Sequence, residues 1–306
     1  MRSDGIGTSM PDRRLHLLNP LQAARGVFRS FLPSSMPYLT RASYAKELPA
    51  WALLPVMTGI LEGGVVGVIV QKLYDGVVPD ELLYLIIAFL TGLQATANVF
   101  SFAWAALSHR RGKIKLLVGM QLGCALCTAL PALASDNLMG MWLFVIGVVG
   151  ARLCWSGVIT LRSAVWASNY PREVRARIAG KFATIQALVL AGVSALIGVL
   201  MDWDQDAYRW AYPLAAAIGI LGTAAYSRIR MRGHAALLRD ERNASEDADA
   251  HEPSLNPLRI LRFLRSDIEF TKFMSCQFLL GTGNMMIGAP LISVLTTVYM
   301  MDYLQA

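Results

Sequence analysis

The chain has 306 residues, of which 55% are hydrophobic and 16% are charged, and its mean hydropathy is +0.45. An ordinary soluble domain carries about 25% charged residues, so this composition argues against a soluble globule. The net charge of +7 arises from basic residues in short connections between apolar runs, where anionic lipid headgroups attract them, and it does not require a nucleic-acid partner.

Seven apolar runs follow one another along the chain. Each is close to the ~20 residues that a helix needs to cross the hydrocarbon core of a bilayer. These runs predict an all-α polytopic membrane protein. They are Trp51–Val70, Leu82–Leu107, Leu116–Ala134, Leu138–Leu161, Phe182–Met201, Trp210–Tyr226 and Phe273–Tyr299.

The basic residues predict how the chain is oriented and divided. Lys and Arg that flank spans are retained in the cytoplasm, and most of the 28 lie before the first run or in alternate connections. We therefore expect a multi-pass protein of the plasma (inner) membrane with a cytoplasmic N-terminus. The predicted domains are a cytoplasmic N-terminal segment (1–50), a six-helix transmembrane bundle (51–226), a cytoplasmic central loop (227–272), and a seventh helix with a short external tail (273–306).

Two of these segments lie outside the predicted spans. The N-terminal segment is either a weakly amphipathic segment lying on the membrane surface or a disordered basic tail. The central loop has an acidic stretch, typical of a linker, followed at Pro257–Phe270 by the pattern of an amphipathic helix on the cytoplasmic face.

Two charged residues are expected inside the runs: Glu62 near the middle of the first, and Arg152 near the middle of the fourth. A charge at that depth costs at least ~2.5 kcal/mol, and antiparallel spans would allow an ion pair. The pair either only fixes helix packing or lines a solute or proton path. In the second case, motion that separates the two groups changes the proton affinity of the carboxyl. Alternatively, the Arg152 fork binds an anionic substrate.

Amide side chains within the runs are candidates for the same path, with interhelical hydrogen bonds as the alternative interpretation. Small residues at four-residue spacing predict two packing seams, one at Gly59, Gly63 and Gly67 and one along the fifth run from Ala183 to Ala195. The amide candidates are Gln94, Asn98, Gln186 and Asn284.

The sequence contains no recognisable catalytic, metal-binding or cofactor-binding motif. The C-x-x-C pair Cys124 and Cys127 lies inside an apolar run, so helix packing is the better interpretation. Neither a phosphate-binding loop nor a metal-ligand spacing nor a nucleophile with a base is apparent. We therefore expect no enzyme activity, no metal and no cofactor.

The second connection contains His109-Arg-Arg-Gly112-Lys113. It resembles the signature loop between helices two and three of the major facilitator superfamily (MFS), in which a Gly is followed by Asp, Arg, Gly and basic residues. Arg110, Gly112 and Lys113 match, whereas His109 stands where the family has Asp and Ala105 where it has the first Gly. A tight glycine turn under a cationic cluster would hold the two helices close at the cytoplasmic surface.

Two later stretches are similar to the same family: Arg152 followed by Ser156-Gly157 in the fourth run, and the connection Tyr170–Gly180. The resemblance implies an MFS-like six-helix bundle plus one further transmembrane helix. It also implies a secondary active transporter that moves a small solute by alternating access, with or without proton coupling.

The same resemblance implies the partners of the chain. We expect a lipid bilayer and a small-molecule substrate, with no nucleic acid. Because the runs resemble one family half and the first helix of the other, we expect either a truncated form of a longer transporter or a second half-transporter chain as a partner. The alternative function is a non-transporting membrane scaffold or solute sensor that keeps the fold.

Overall fold

A computed structural model of the protein describes residues 20–243 and 265–295. Those residues fold into helices joined by short turns, and no strand occurs in these two ranges. The helices are α1 (Pro20–Phe31), α2 (Tyr38–Gly59), α3 (Gly63–Tyr74), α4 (Asp80–Val99), α5 (Ser101–Ser108), α6 (Lys113–Ala129), α7 (Leu138–Asn169), α8 (Arg172–Trp203), α9 (Tyr208–Tyr226), α10 (His234–Asn243) and α11 (Ile268–Ser293).

Five helical stretches within the described ranges are long and apolar enough to cross a membrane. Tyr38–Tyr74 combines α2 with α3, and Asp80–Ser108 combines α4 with α5. Lys113–Leu133 is α6 with one further 3-10 turn, and the other two are α7 and α8. The predicted fold class, an all-α polytopic membrane protein, is confirmed. The remaining predicted spans are helical as α9 and α11 but are not among these five, so the count of seven spans stays a prediction.

Two predicted boundaries differ from the structure. The helix that contains the first predicted span begins at Tyr38, 13 residues before the apolar run at Trp51. Thr40, Tyr44 and Glu47 extend the buried face of α2 back from Trp51 at three- and four-residue spacing. The seventh helix begins at Ile268, so the end of the predicted amphipathic helix belongs to α11. The rest of that helix, and the acidic linker before it, lie mostly outside the described residues.

The described helices pack around a large hydrophobic core and a second, smaller cluster, which includes Tyr44, Trp51 and Phe182. Helix α2 contacts α8 and α9, α6 lies against α7 and α9, and α4 contacts α3 and α7. Helix α11 rests on α3 and α4. At the centre, the Phe144 ring meets the edge of the Tyr212 ring with centroids 5.5 Å apart, an arrangement that aromatic pairs prefer. The core therefore joins α7 to α9 beside the middle of the first span.

The predicted glycine seam is confirmed, but it faces three helices rather than one. A Cβ on Gly59 would lie 3.0 Å from Val193 of α8, and one on Gly63 would lie 3.0 Å from the backbone of Thr91 in α4. A Cβ on Gly67 would lie 2.9 Å from Ile292 of α11. The helix is interrupted between Gly59 and Gly63, so the seam cannot continue along one face.

The second seam, on α8, is wrong for the described residues. Its four alanines at positions 183, 187, 191 and 195 are all exposed. Helix α8 instead contacts α2 through other positions, including Val193 and the buried Phe182. Four-residue spacing of small side chains permits close packing but does not select the face on which a neighbour lies.

Candidate functional site

The first span is broken at its middle, between α2 and α3. We call residues Ile60–Glu62 the helix break; Glu62 has extended backbone angles, and Ile60 and Leu61 are each 1% exposed. A break leaves backbone carbonyls without their intrahelical donors, and in the hydrocarbon region such groups must be satisfied by protein. Glycines flank the break, at Gly59 on one side and at Gly63 on the other.

Arg152 supplies donors to the helix break from α7. Its Nε donates to the Leu61 carbonyl over 3.1 Å, and its Nη2 donates to the same oxygen. From α9, the Tyr212 hydroxyl donates to the Ile60 carbonyl over 3.3 Å. The Arg152 side chain is only 5% exposed. The guanidinium is therefore first of all a group that stabilises the irregular backbone of the first span.

The ion pair predicted from antiparallel spans is present. Arg152 Nη2 lies 3.3 Å from Glu62 Oε2, and Arg152 Nη1 donates to Gln94 Oε1 of α4 over 3.1 Å. Glu62 is not in the middle of a helix, as its position in the run suggested, but is the residue that immediately precedes α3 at the end of the break. Its side chain is 43% exposed, so the pair combines a buried cation with an accessible carboxylate.

This geometry bears on the alternative in which Arg152 binds an anionic substrate. The guanidinium makes four hydrogen bonds, two to the Leu61 carbonyl and one each to Gln94 and Glu62, and little of its surface is accessible. A bidentate substrate contact would require the fork to leave these acceptors and would leave the buried Leu61 carbonyl without its donors. Of the two charged groups, Glu62 is therefore the one with an accessible side chain.

The other amide candidates are dispersed. Asn98 lies one turn after Gln94 on α4, and both are exposed on the same face. Gln186 is half-buried on α8, and the structure describes no hydrogen bond that brings it to Arg152. Asn284 belongs to α11, but its side chain lies outside the part of the chain that is described. A role for Asn98, Gln186 and Asn284 in the path stays a prediction.

The predicted signature loop joins α5 to α6. His109 follows the last residue of α5, Gly112 precedes α6, and Lys113 is the first residue of α6. Lys113 is 5% exposed, and its Nζ donates to the Ser108 carbonyl over 3.3 Å. The loop is therefore tied across the turn by a buried lysine.

The expected glycine turn is wrong in one detail. The residue with a left-handed conformation is Arg110, with φ of 58°, whereas Gly112 has φ of −65°. A Cβ at Gly112 would meet only the flexible side chain of Lys115, at 3.8 Å or more. The turn thus depends on an unusual backbone conformation of an arginine and not on glycine.

Sequence reasoning missed a second charged cluster near the start of the first span. Glu47 is fully buried in α2, and the Trp166 indole of α7 donates to its Oε2 over 2.9 Å. The Arg162 guanidinium lies over the rings of Trp51 and Trp166, 4.4 and 4.6 Å from their centroids, which is a cation–π geometry. Glu62 and Arg152 are therefore not the only charges within the spans. The signal available in the sequence was the spacing of Tyr44, Glu47 and Trp51, which are three and four residues apart and so share one face of a helix.

A match to a known protein family identifies the class of this protein. The sequence profile of the Major Facilitator Superfamily matches residues 51–306, which is most of the chain. The chain belongs to this superfamily. No curated protein and no solved structure gives a significant match.

Members of the superfamily are transporters rather than enzymes, and this chain is a transporter of the general MFS type. The match and the apolar helices together make it a multi-pass membrane protein. An MFS transporter lies in a lipid bilayer and binds small substrates.

The Ser156-Gly157 pair of α7, one of the stretches that carried the resemblance, has a packing role. Ser156 accepts a hydrogen bond from the Trp104 indole over 2.9 Å, and Gly157 lies against the same ring.

Proposed function

We propose that this MFS transporter is a secondary active transporter that moves a small solute by alternating access, with Glu62 as the group that exchanges a proton or contacts the solute. The observation that carries the proposal is the accessible Glu62 carboxylate beside the buried Arg152. Ionisable groups inside spans line substrate or proton paths more often than they serve packing alone.

The contacts of Arg152 support a specific division of roles. Its bonds to Leu61 and Gln94 do not involve Glu62, so the carboxylate is free to change its partner while the helix break keeps its donors. A discontinuous helix beside a midplane charge is also a frequent arrangement at transporter sites. Gln94, which shares Arg152 with Glu62, is the amide that we place beside the path.

The test uses the full chain in proteoliposomes that enclose a pH-sensitive dye. A library of small solutes is applied outside, and solute-driven changes in internal pH are recorded at several external pH values. We expect at least one solute to drive proton movement through the wild-type protein, and Glu62→Gln to abolish it because an amide cannot carry a proton. Asp75→Asn is the matched control, since Asp75 is an exposed carboxylate at the other end of α3.

Two results would contradict the proposal. If Glu62→Gln leaves solute-driven proton movement and its pH dependence unchanged, Glu62 is not the exchanging group. If no solute moves through the wild-type protein, alone or with a second half-transporter chain, the scaffold or sensor function is favoured. A plasma membrane location, a cytoplasmic N-terminus and a second half-transporter partner remain predictions of the sequence.

A further inference from the structure

A cavity of about 720 Å³ lies at the end of the bundle that carries the signature loop. Its walls come from the end of α5 and the start of α6, from the second half of α7, and from the segment that leads into α10. Cavities of ~300–1,000 Å³ are the usual size of small-molecule sites. The space is separate from the Glu62 site, since none of its lining residues belongs to α2, α3 or α4.

The cavity is positively charged. Its described lining includes Lys113, His109 and Arg232 but no Asp or Glu. Four hydroxyl side chains complete the polar part of the wall: Ser108, Thr160, Ser163 and Ser168. The residue that matters most is His109, which stands where the signature loop of the family has Asp, because an Asp there would place a negative charge in the same wall. The described lining instead has basic side chains as its only titratable groups.

The wall of the cavity is held in place by hydrogen bonds between distant parts of the chain. The backbone N–H of Arg232 donates to Asn169 Oδ1 over 3.0 Å, and Ser168 Oγ donates to the Arg232 carbonyl. The Arg232 guanidinium donates through Nη2 to the Leu39 carbonyl of α2, which leaves its other N–H groups for a ligand. Gly233, with φ of 65°, then turns the chain into α10. Lys113 is fixed by its bond to the Ser108 carbonyl. The basic groups thus stand on a shaped wall and not on a free surface loop.

A second cavity of about 450 Å³ continues the positive surface on the other side of Met231. Its described lining includes Lys115, Arg230 and His234, again without an acidic side chain. Basic residues on both sides of one segment attract a ligand that carries concentrated negative charge. The positive-inside rule places this end of the bundle at the cytoplasmic membrane surface, where basic pockets between helices bind phosphate-bearing headgroups.

We propose that the cavity between the signature loop, α7 and α10 binds the phosphate group of an anionic ligand, with Lys113, His109 and Arg232 as its recognition residues. The ligand is either a phospholipid headgroup or a soluble phosphate compound, since both offer the same phosphate oxygens to these basic groups.

The experiment measures the thermal unfolding temperature of the full chain in detergent. The probes are short-chain phosphatidylglycerol, phosphatidylcholine of the same chain length, glycerol phosphate and inorganic phosphate, at matched ionic strength. We expect phosphatidylglycerol or the soluble phosphates to raise the unfolding temperature of the wild-type protein. A rise with phosphatidylglycerol alone identifies a lipid headgroup as the ligand, and a rise with glycerol phosphate or inorganic phosphate identifies a soluble phosphate.

Variants test the assigned residues. His109→Asp is expected to weaken binding by about tenfold or more, because it places a negative charge in the wall that the anionic ligand contacts. Lys113→Gln is expected to do the same if it folds. Arg172→Gln is the matched control, since Arg172 is exposed at the start of α8 and does not line the cavity.

Three results would overturn the proposal. The first is the absence of any rise with the phosphate-bearing probes. The second is an equal rise with phosphatidylcholine, which would indicate a general detergent or lipid effect. The third is an unchanged affinity of His109→Asp, which would place the anion elsewhere on the chain.

Discussion

The start of α3 offers a direct test of how the helix break is held against its neighbour. Gly63 and Gly64 are consecutive residues in the first turn of α3, yet their surroundings differ. A Cβ on Gly63 would lie 3.0 Å from both the Cα and the carbonyl oxygen of Thr91, whereas a Cβ on Gly64 would meet nothing within 4 Å. Backbone atoms cannot rotate away as the end of a side chain can. Gly63→Ala therefore forces α3 and α4 apart, beside Glu62.

The expected cost follows from this difference. Overpacking of a tight contact lowers the free energy of unfolding by about 1–3 kcal/mol, which corresponds to a fall of about 2–6 °C in the unfolding temperature of a large domain. Gly64→Ala should leave stability unchanged or raise it by up to ~1 kcal/mol, because alanine is the better helix former. Both variants are compared with the wild-type protein by tryptophan fluorescence during heating in detergent. Equal stability of the two variants would refute the close approach of α3 and α4.

Three further predictions concern contacts at the helix break and at the end of the bundle that carries the signature loop, all measured as thermal stability in detergent. Tyr212→Phe should lower the free energy of unfolding by ~1 kcal/mol, since a buried carbonyl of the helix break loses its donor; an unchanged stability would contradict that hydrogen bond. Arg110→Val should be about 1–2 kcal/mol less stable than Arg110→Gly, because a branched side chain resists a positive φ, while Gly112→Ala should stay within ~0.5 kcal/mol of the wild type. Trp166→Phe should cost about 1–3 kcal/mol by removing the donor to the buried Glu47, and a neutral result would mean that this carboxyl finds another partner.

The sequence predicted the helical class well because hydropathy is a local property. Each predicted run coincides with a helix over most of its described length. The pairing of Glu62 with Arg152 was expected because antiparallel spans would allow it and because two buried charges are less costly together. The start of the first span was missed for a non-local reason. In the sequence, Glu47 is a polar residue before an apolar run. Its burial is made less costly by residues far along the chain, such as Trp166, 119 residues away, whose indole donates a hydrogen bond to the carboxylate.

The helix break was also missed, although glycines on both sides of it were visible. They were interpreted as a packing seam, which is correct at Gly59 and Gly63, but the same glycines allow the chain to leave the helix between them. The acceptor that Arg152 uses most could not be predicted, because a search for charged partners considers side chains and not the carbonyl of Leu61.

The contacts of Arg152 explain why one ion pair can serve both structure and transport. A buried guanidinium is costly unless its N–H groups are satisfied, and here the Leu61 carbonyl and Gln94 provide acceptors that remain whatever the state of Glu62. The carboxylate contributes one contact, at 3.3 Å, from a side chain that is 43% exposed. Loss of that contact leaves the helix break intact, whereas loss of the guanidinium leaves the break without donors from α7. Under the proposed function, variants of Glu62 are expected to change transport with little effect on the fold, whereas variants of Arg152 are expected to change both.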